Sequence, residues 1–179
     1  MPLHFKAAPW QTALKFTSVM GTLLIAGLGY VAYYAIPTPS GFTRYFGLGI
    51  ALVPITILIF SFLFAVTGYV VDGGDLYIQR LLWRTRLSID GLGRIWVDPS
   101  ACKRSMRIIG NGGLFSFTGL YQSPMLGRYR LFATDLTRSV VLVLPKRVIV
   151  ITPATPQAFV DHLHHLFPLA HAGSEGWRP

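Results

Sequence analysis

The pattern of hydrophobic and polar positions divides the chain into two parts. Residues 1–74 carry only four charged side chains, at positions 6, 15, 44 and 72, and include two long uncharged stretches at 16–43 and 45–71. Residues 75–179 carry the other 13 basic and 6 acidic residues, between shorter apolar or alternating runs. The pattern predicts an apolar helical part followed by a separate basic domain.

The first apolar run is long enough to cross a bilayer. Residues 16–36 would span about 31 Å as a helix, close to the hydrocarbon thickness. Two prolines and a glycine follow within residues 37–41, and Asp72 closes the second run. We therefore predict a membrane α-helical hairpin, with transmembrane helix 1 over 16–36, an external loop over 37–44 and transmembrane helix 2 over 45–71.

Two alternatives to this hairpin remain open. A cleaved signal peptide has an apolar stretch of about 7–15 residues and a small-residue cleavage site, whereas this run is longer and ends near Tyr33 and Tyr34. A buried helix pair in a soluble protein is disfavoured because both runs exceed about 18 residues.

The charges that flank the two runs predict the topology. Lys6 and Lys15 precede the first run, three arginines follow the second run by position 86, and the loop between the runs carries only Arg44. Because basic residues remain on the cytoplasmic side, both termini are predicted to be cytoplasmic. The lipid bilayer is then an integral partner, and residues 1–15 form a cytoplasmic segment of a two-pass protein of the inner membrane.

The second part has the pattern of a β-rich domain. Turn signals recur about every 8–12 residues, as in antiparallel sheets. The strands are expected within residues 76–79, 86–89, 95–97, 114–121, 128–132, 140–144 and 148–151. One helix should close the domain, with Thr155 as N-cap, Pro156 at the first position, and Phe159, Leu163 and Leu166 facing the sheet. The domain is expected over 75–167 and a loose tail over 168–179.

Four short phrases in this part resemble the bacterial pleckstrin-homology (PH-like) domains. They are GNGGLF at 110–115, GLY at 119–121, GRYRLFATD at 127–135 and ITPATPQAF at 151–159, where Thr152 stands in place of the usual serine. The resemblance covers about positions 70–167, and a preceding transmembrane hairpin is a common arrangement in that family. It implies a mainly-β (α+β) fold of about seven antiparallel strands in two near-orthogonal sheets, capped by a C-terminal helix. It implies no settled activity.

The net charge favours an anionic partner. The chain has 16 Lys and Arg against 7 Asp and Glu, and a formal net charge of +9. The candidate contacts with anionic lipid or a partner are the basic residues nearest the membrane, namely Arg80, Arg84, Arg86, Lys103, Arg104 and Arg107. Anionic headgroups attract such side chains by about 1 kcal/mol each. The positive-inside rule and solubility explain the same residues without a headgroup site, and no nucleic-acid partner is expected because the membrane already accounts for the charge.

No pattern in the sequence supports catalysis, a cofactor or a metal. The glycines at 110, 112 and 113 could cradle a phosphate through backbone amides, but no P-loop lysine follows them, and a turn explains them better. Asp161 and His165 share a helix face but lack a third ligand at helical spacing. Cys102 is the single cysteine; its basic neighbours could lower its pKa, but a free thiol in a loop explains it better. We expect neither catalytic nor metal-binding residues.

These observations favour a membrane-anchored, non-catalytic interaction module. The module is expected to dock a partner protein or to oligomerise at the cytoplasmic membrane face, through its sheets or an edge strand. Binding of anionic lipid headgroups by the basic face of the domain is the alternative function.

Overall fold

The computed structural model describes residues 2–35 and 42–173 of the chain. The helices are α1 (Thr12–Ala35), α2 (Phe42–Leu63) and α3 (Pro156–Leu166). The strands are β1 (Leu3–Lys6), β2 (Gly68–Asp72), β3 (Asp75–Gln79), β4 (Arg84–Ser88), β5 (Arg94–Val97), β6 (Met106–Gly112), β7 (Phe117–Ser123), β8 (Gly127–Ala133), β9 (Val140–Leu144), β10 (Arg147–Ile151) and β11 (His171–Ala172).

The strands form two sheets, which confirms this part of the predicted mainly-β fold. One sheet has the order β1-β2-β3-β4 and is antiparallel throughout. The other has the order β11-β5-β9-β10-β8-β7-β6. The expectation of about seven strands, all antiparallel, is wrong: β10 runs parallel to β8, and β11 runs parallel to β5. The pair β8–β10 is parallel because β9 does not lie next to β8 in the sheet; one strand position separates them. The β9–β10 hairpin then places β10 in that position, beside β8.

The main core lies between the two sheets and α3. Inward side chains of the small sheet, such as Leu76 and Ile78, cluster with Leu142 and Ile149 of the large sheet. The helix begins at Pro156, as expected, and its Phe159, Val160 and Leu163 are buried in the same cluster. Leu166 is exposed instead of buried, because α3 ends there and Phe167 packs against the core in its place.

A second core lies on the other face of the large sheet. The chain from β5 to β6 must pass from one side of that sheet to its opposite edge, and residues 98–105 make this connection. Ala101 in this segment is fully buried in a cluster with Val141 and Leu131. The Tyr129 hydroxyl donates to Ser105 Oγ at 2.6 Å. The connection therefore covers the sheet face that the small sheet does not.

The structure corrects the boundaries of the helical part. Helix α1 begins at Thr12, four residues before the expected start. Helix α2 ends at Leu63, so residues 68–71 are not helical as the predicted span 45–71 required. They form β2 because this valine-rich segment finds pairing partners on both sides, β1 and β3. Of the predicted loop 37–44, residues 42–44 begin α2 and the rest lie outside the described residues.

The ends of the chain are also more structured than the sequence indicated. The N-terminal segment contains β1, which lies at the edge of the small sheet beside β2. The tail after residue 167 contains β11, which extends the large sheet beyond β5. Both strands are short, and each pairs with a strand that is distant in sequence.

Helices α1 and α2 contact each other and present apolar side chains outward. By length and hydropathy, Thr12–Val31 is one helix able to cross a membrane, and α2 contributes the shorter apolar segment Leu52–Leu63 within the described residues. Leu23 and Leu28 are about 60% exposed. The N-terminal helix is thus a candidate membrane anchor.

Candidate functional site

The base of the helix pair is joined to the turn between β6 and β7, and we call this region the junction (residues 10–18, 60–64 and 111–116). The Thr17 hydroxyl donates to the Gly113 carbonyl at 2.9 Å. Ser18 Oγ accepts from the Phe115 amide at 2.9 Å and is within 3.3 Å of the same carbonyl. Ser18 is only 3% exposed, so these bonds lie in a desolvated contact. The helices and the domain are therefore fixed to each other by side chains as well as by the chain.

The glycine-rich phrase at 110–113 is a structural turn of this junction. Asn111 Oδ1 accepts hydrogen bonds from the amides of Gly113 and Leu114 at 3.2 and 2.9 Å. The Phe115 amide is already bonded to Ser18. Because the amides of Gly113, Leu114 and Phe115 are all bonded within the protein, they are not available to cradle a phosphate. Gly113 has φ of 121° and would place a Cβ 3.2 Å from Thr17 Oγ1, which explains the need for glycine there.

Aromatic rings close the apolar side of the junction. The Phe115 ring centroid lies 5.5 Å from that of Phe62, edge to face, and 6.1 Å from that of Trp10. Phe115 also has a positive φ of 67°, an uncommon conformation for an aromatic residue. The turn geometry thus directs this ring towards the helices.

Arg80 forms a second link between the domain and α2. Its Nη1 donates to the carbonyl of Phe64, and its Nε donates to Thr85 Oγ1 at 3.2 Å. The guanidinium carbon lies 5.1 Å from the Phe64 ring centroid and 5.8 Å from that of Phe132. Desolvation lowers the pKa of Arg80 from its ordinary value. A cation at a helix C-terminus also interacts favourably with the helix dipole.

The remaining basic candidates lie in two separate places: on β4, and on β6 with the turn before it. Arg84 and Arg86 are exposed on β4, the edge of the small sheet, and Arg86 forms a 2.7 Å ion pair with Asp75. Lys103 and Arg104 are exposed in the turn before β6, and Arg107 is exposed on β6 itself, the edge of the large sheet. The six residues proposed from sequence therefore include one half-buried link, one ion-paired residue and four solvated side chains.

A buried polar network behind Arg80 joins four segments of the domain. The Tyr69 hydroxyl donates to the Phe132 carbonyl at 2.7 Å and accepts from the Thr152 amide at 3.1 Å. Thr152 Oγ1 accepts from the Thr134 amide at 2.9 Å, and the Thr134 hydroxyl donates to the Ala8 carbonyl at 2.6 Å. Burial raises the pKa of Tyr69 to about 12. Thr152, which the sequence resemblance singled out, is the centre of this network.

The β-rich domain matches a known protein family. The family model described as Bacterial PH domain covers residues 67–166. The chain belongs to the bacterial PH domain family. Comparisons with curated proteins and with solved structures found no match. The bacterial PH domain thus begins with β2, before the expected boundary at residue 75, and PH domains are generally non-catalytic interaction modules.

The edge strand β6 is the most exposed apolar part of the bacterial PH domain. Met106, Ile108 and Ile109 are 76%, 48% and 69% exposed. The register with β7 shifts between Arg107 and Ile109, and every residue of β6 from Met106 to Gly110 is exposed, so that two consecutive isoleucines are both exposed. β6 was not predicted as a strand, although its run of apolar residues before the glycines was a signal.

Cys102 and the histidines have no arrangement that suggests chemistry. Burial raises the pKa of the Cys102 thiol, and its Sγ lies 3.7 Å from Ser139 Oγ. The rings of His162 and Phe5 lie 5.9 Å apart. Within the described residues, no three His, Cys, Asp or Glu side chains converge to hold a metal.

Proposed function

We propose that this chain is a two-pass, membrane-anchored and non-catalytic PH-domain module. The helix pair would hold residues 67–166 at the cytoplasmic face of the inner membrane, with both termini cytoplasmic. There the domain would dock a partner protein or a second copy of the chain. The proposal deepens the general interaction role of PH domains.

The pairing of β1 with β2 supports a two-pass anchor. β1 precedes α1 and β2 follows α2, yet Leu3 pairs with Val71 and Lys6 pairs with Gly68. The chain that leaves the domain along α1 therefore returns to it along α2. The two helices measure about 36 and 33 Å at 1.5 Å per residue, lengths that suit a bilayer.

The observation that carries the docking role is the exposed β6 edge. An open strand edge presents unpaired amide and carbonyl groups, and proteins usually protect it with charge, proline or a bulge. Here Arg107 and the register shift interrupt the edge, but Met106, Ile108 and Ile109 form an apolar rim around them. Strand addition by a second chain would bury this rim and pair the edge.

Cysteine cross-linking in native membranes tests this role. The chain carries Ile109→Cys in a Cys102→Ala background, and Ala158→Cys, on the exposed face of α3, is the matched control. We expect a maleimide–benzophenone reagent attached to Ile109→Cys to form a photo-crosslink, either to a second copy, which gives a product of twice the chain mass, or to one partner protein, which gives one heavier product, and we expect the control to remain unlinked. Equal linking of both variants, or of neither, would contradict docking through β6.

A second candidate function is binding of anionic lipid by the exposed basic residues. Within the described part of the chain, Arg84, Lys103, Arg104 and Arg107 have no ion-pair partner. A variant with glutamine at these four positions should retain less anionic lipid than the wild type, and the difference should shrink at high salt. The full chain is the right reagent, because a fragment from residue 75 would lack β1 and β2. Unchanged lipid retention would leave these residues as topology signals.

A further inference from the structure

One groove at the end of α2 combines an incompletely used arginine with phenylalanine rings. The groove, of about 400 Å³, lies between the last turns of α2 and the β6–β7 strands. Phe60, Ser61 and Phe64 line it from the helix, and Arg80, Gly119 and Phe132 line it from the domain. It is separate from the four solvated basic residues.

Arg80 has capacity for an anion in this groove. A guanidinium carries five N–H donors, and those of Arg80 make only two hydrogen bonds, to Phe64 and Thr85. Within residues 2–35 and 42–173, no carboxylate forms an ion pair with it. A half-buried cation without an anionic partner is unfavourable, and the two aromatic rings and the helix C-terminus compensate it only in part.

The helix side of the groove is apolar and exposed. The Phe60 and Phe64 side chains are 56% and 42% exposed. Trp83 packs edge to face on Phe64 at 4.9 Å, and its neighbours Leu81 and Leu82 are also exposed. If α2 returns from the bilayer, this end of it lies at the membrane–water interface, where tryptophan is favoured.

We infer that this groove binds one anionic phospholipid of the surrounding bilayer. The lipid phosphate pairs with the unused N–H donors of Arg80, and an acyl chain lies along Phe60 and the outer face of α2. Charge complementarity at Arg80 selects an anionic headgroup, and the apolar helix face selects a lipid over a soluble phosphate. The site rests on the proposed membrane anchor but is independent of docking through β6.

Native mass spectrometry of the full chain in mild detergent tests the site. The probes are phosphatidylglycerol and phosphatidylcholine of equal acyl length. We expect one phosphatidylglycerol to bind, and Arg80→Met to weaken that binding about tenfold or more, as the loss of a charge-assisted hydrogen bond implies. Lys146→Met removes the same charge from an exposed position in the β9–β10 turn, outside every candidate lipid contact, and should leave binding within about twofold of wild type, in line with the small effect of a single solvated charge.

A second variant separates lipid binding from the structural role of Arg80. Ser61→Trp would fill the groove while leaving both Arg80 hydrogen bonds intact, and it should weaken phosphatidylglycerol binding to a similar degree. Equal binding of the two lipids, unchanged binding in Ser61→Trp, or complete displacement by inorganic phosphate would overturn the inference. Retention of each variant in membranes, measured in parallel, shows whether the anchor itself has failed.

Discussion

The helix pair and the PH domain are both rich in apolar residues but place them in opposite directions. In the domain, Leu142, Ile149 and Ile151 are fully buried between the sheets and α3. In the helix pair, Phe16, Leu24 and Leu28 are about 60% exposed. The domain buries most of its large apolar side chains within itself, whereas the helix pair exposes them on its outer face, as a candidate membrane anchor does.

The two regions also differ in how their polar groups are satisfied. The domain uses long-range bonds, such as those of Tyr69 and Thr152, to pair buried groups that are distant in sequence. Outside the junction, where Thr17 and Ser18 bond to the domain, the Thr56 hydroxyl of α2 bonds within its own helix, to the Leu52 carbonyl at 3.0 Å. Local satisfaction of polar groups is what a helix needs in a bilayer.

The sharpest test of this contrast truncates one leucine in each region. Leu142→Ala, in β9, should lower the free energy of unfolding of the domain by about 2–5 kcal/mol, because it opens a cavity in the core. Leu24→Ala, on the outer face of α1, should leave it nearly unchanged. Denaturant unfolding of the full chain in mild detergent, followed by near-ultraviolet circular dichroism, measures both. Losses of equal size would show that the helix face is part of the domain core.

A charge on the outer helix face should break the anchor and leave the domain folded. Leu24→Arg should disfavour membrane insertion by about 2.5–3.5 kcal/mol, the cost of arginine near the centre of a spanning helix. The fraction of chain retained in membranes after alkaline extraction reports this loss, and Leu24→Ile is the matched control. Full retention of the arginine variant would argue against the membrane assignment of α1.

Thr152, at the centre of the buried polar network, should contribute more to the stability of the domain than the exposed polar residues around it. Thr152→Val removes the acceptor of the Thr134 amide and should destabilise the domain by about 1–3 kcal/mol. Thr152→Ser retains the hydroxyl and should restore most of that stability. Urea unfolding compares the free energy of unfolding of wild type, Thr152→Val and Thr152→Ser. Equal stability of Thr152→Val and wild type would show that the network does not stabilise the domain.

Alkaline pH should weaken the domain through Tyr69. Its folded-state pKa of about 12 lies above the ordinary value of 10, so the fold favours the neutral phenol. The resulting stabilisation is complete below about pH 10 and is lost as the pH rises towards 12. Melting temperatures between pH 8 and 11.5 should fall more steeply for wild type than for Tyr69→Phe. Parallel curves would contradict this role of Tyr69.

The sequence predicted those elements whose pattern is local. The strands at 128–132, 140–144 and 148–151 and the helix start at Pro156 are confirmed, because alternation, turn residues and capping act over a few positions. The end of α2 was misplaced, since the apolar run through residues 64–71 suits a helix and a strand equally. β1 was missed because its partner lies beyond two helices.

The candidate site was less predictable than the fold. Composition identified six basic residues but not their different environments. The role of Arg80 depends on the carbonyl of Phe64, 16 positions earlier, which the β2–β3 hairpin brings near by pairing Gly68 with Gln79. The exposure of β6 depends on its place at the edge of the sheet, which no local pattern records.

Cysteine accessibility tests the membrane assignment most directly. Single cysteines at His4, Ser40 and Ala158, each in a Cys102→Ala background, would be treated with a membrane-impermeant maleimide before and after cell lysis. The account predicts that Ser40→Cys is labelled in intact spheroplasts, and that His4→Cys and Ala158→Cys are labelled only after lysis. Labelling of all three positions only after lysis, with the chain released by alkaline extraction, would contradict a two-pass anchor.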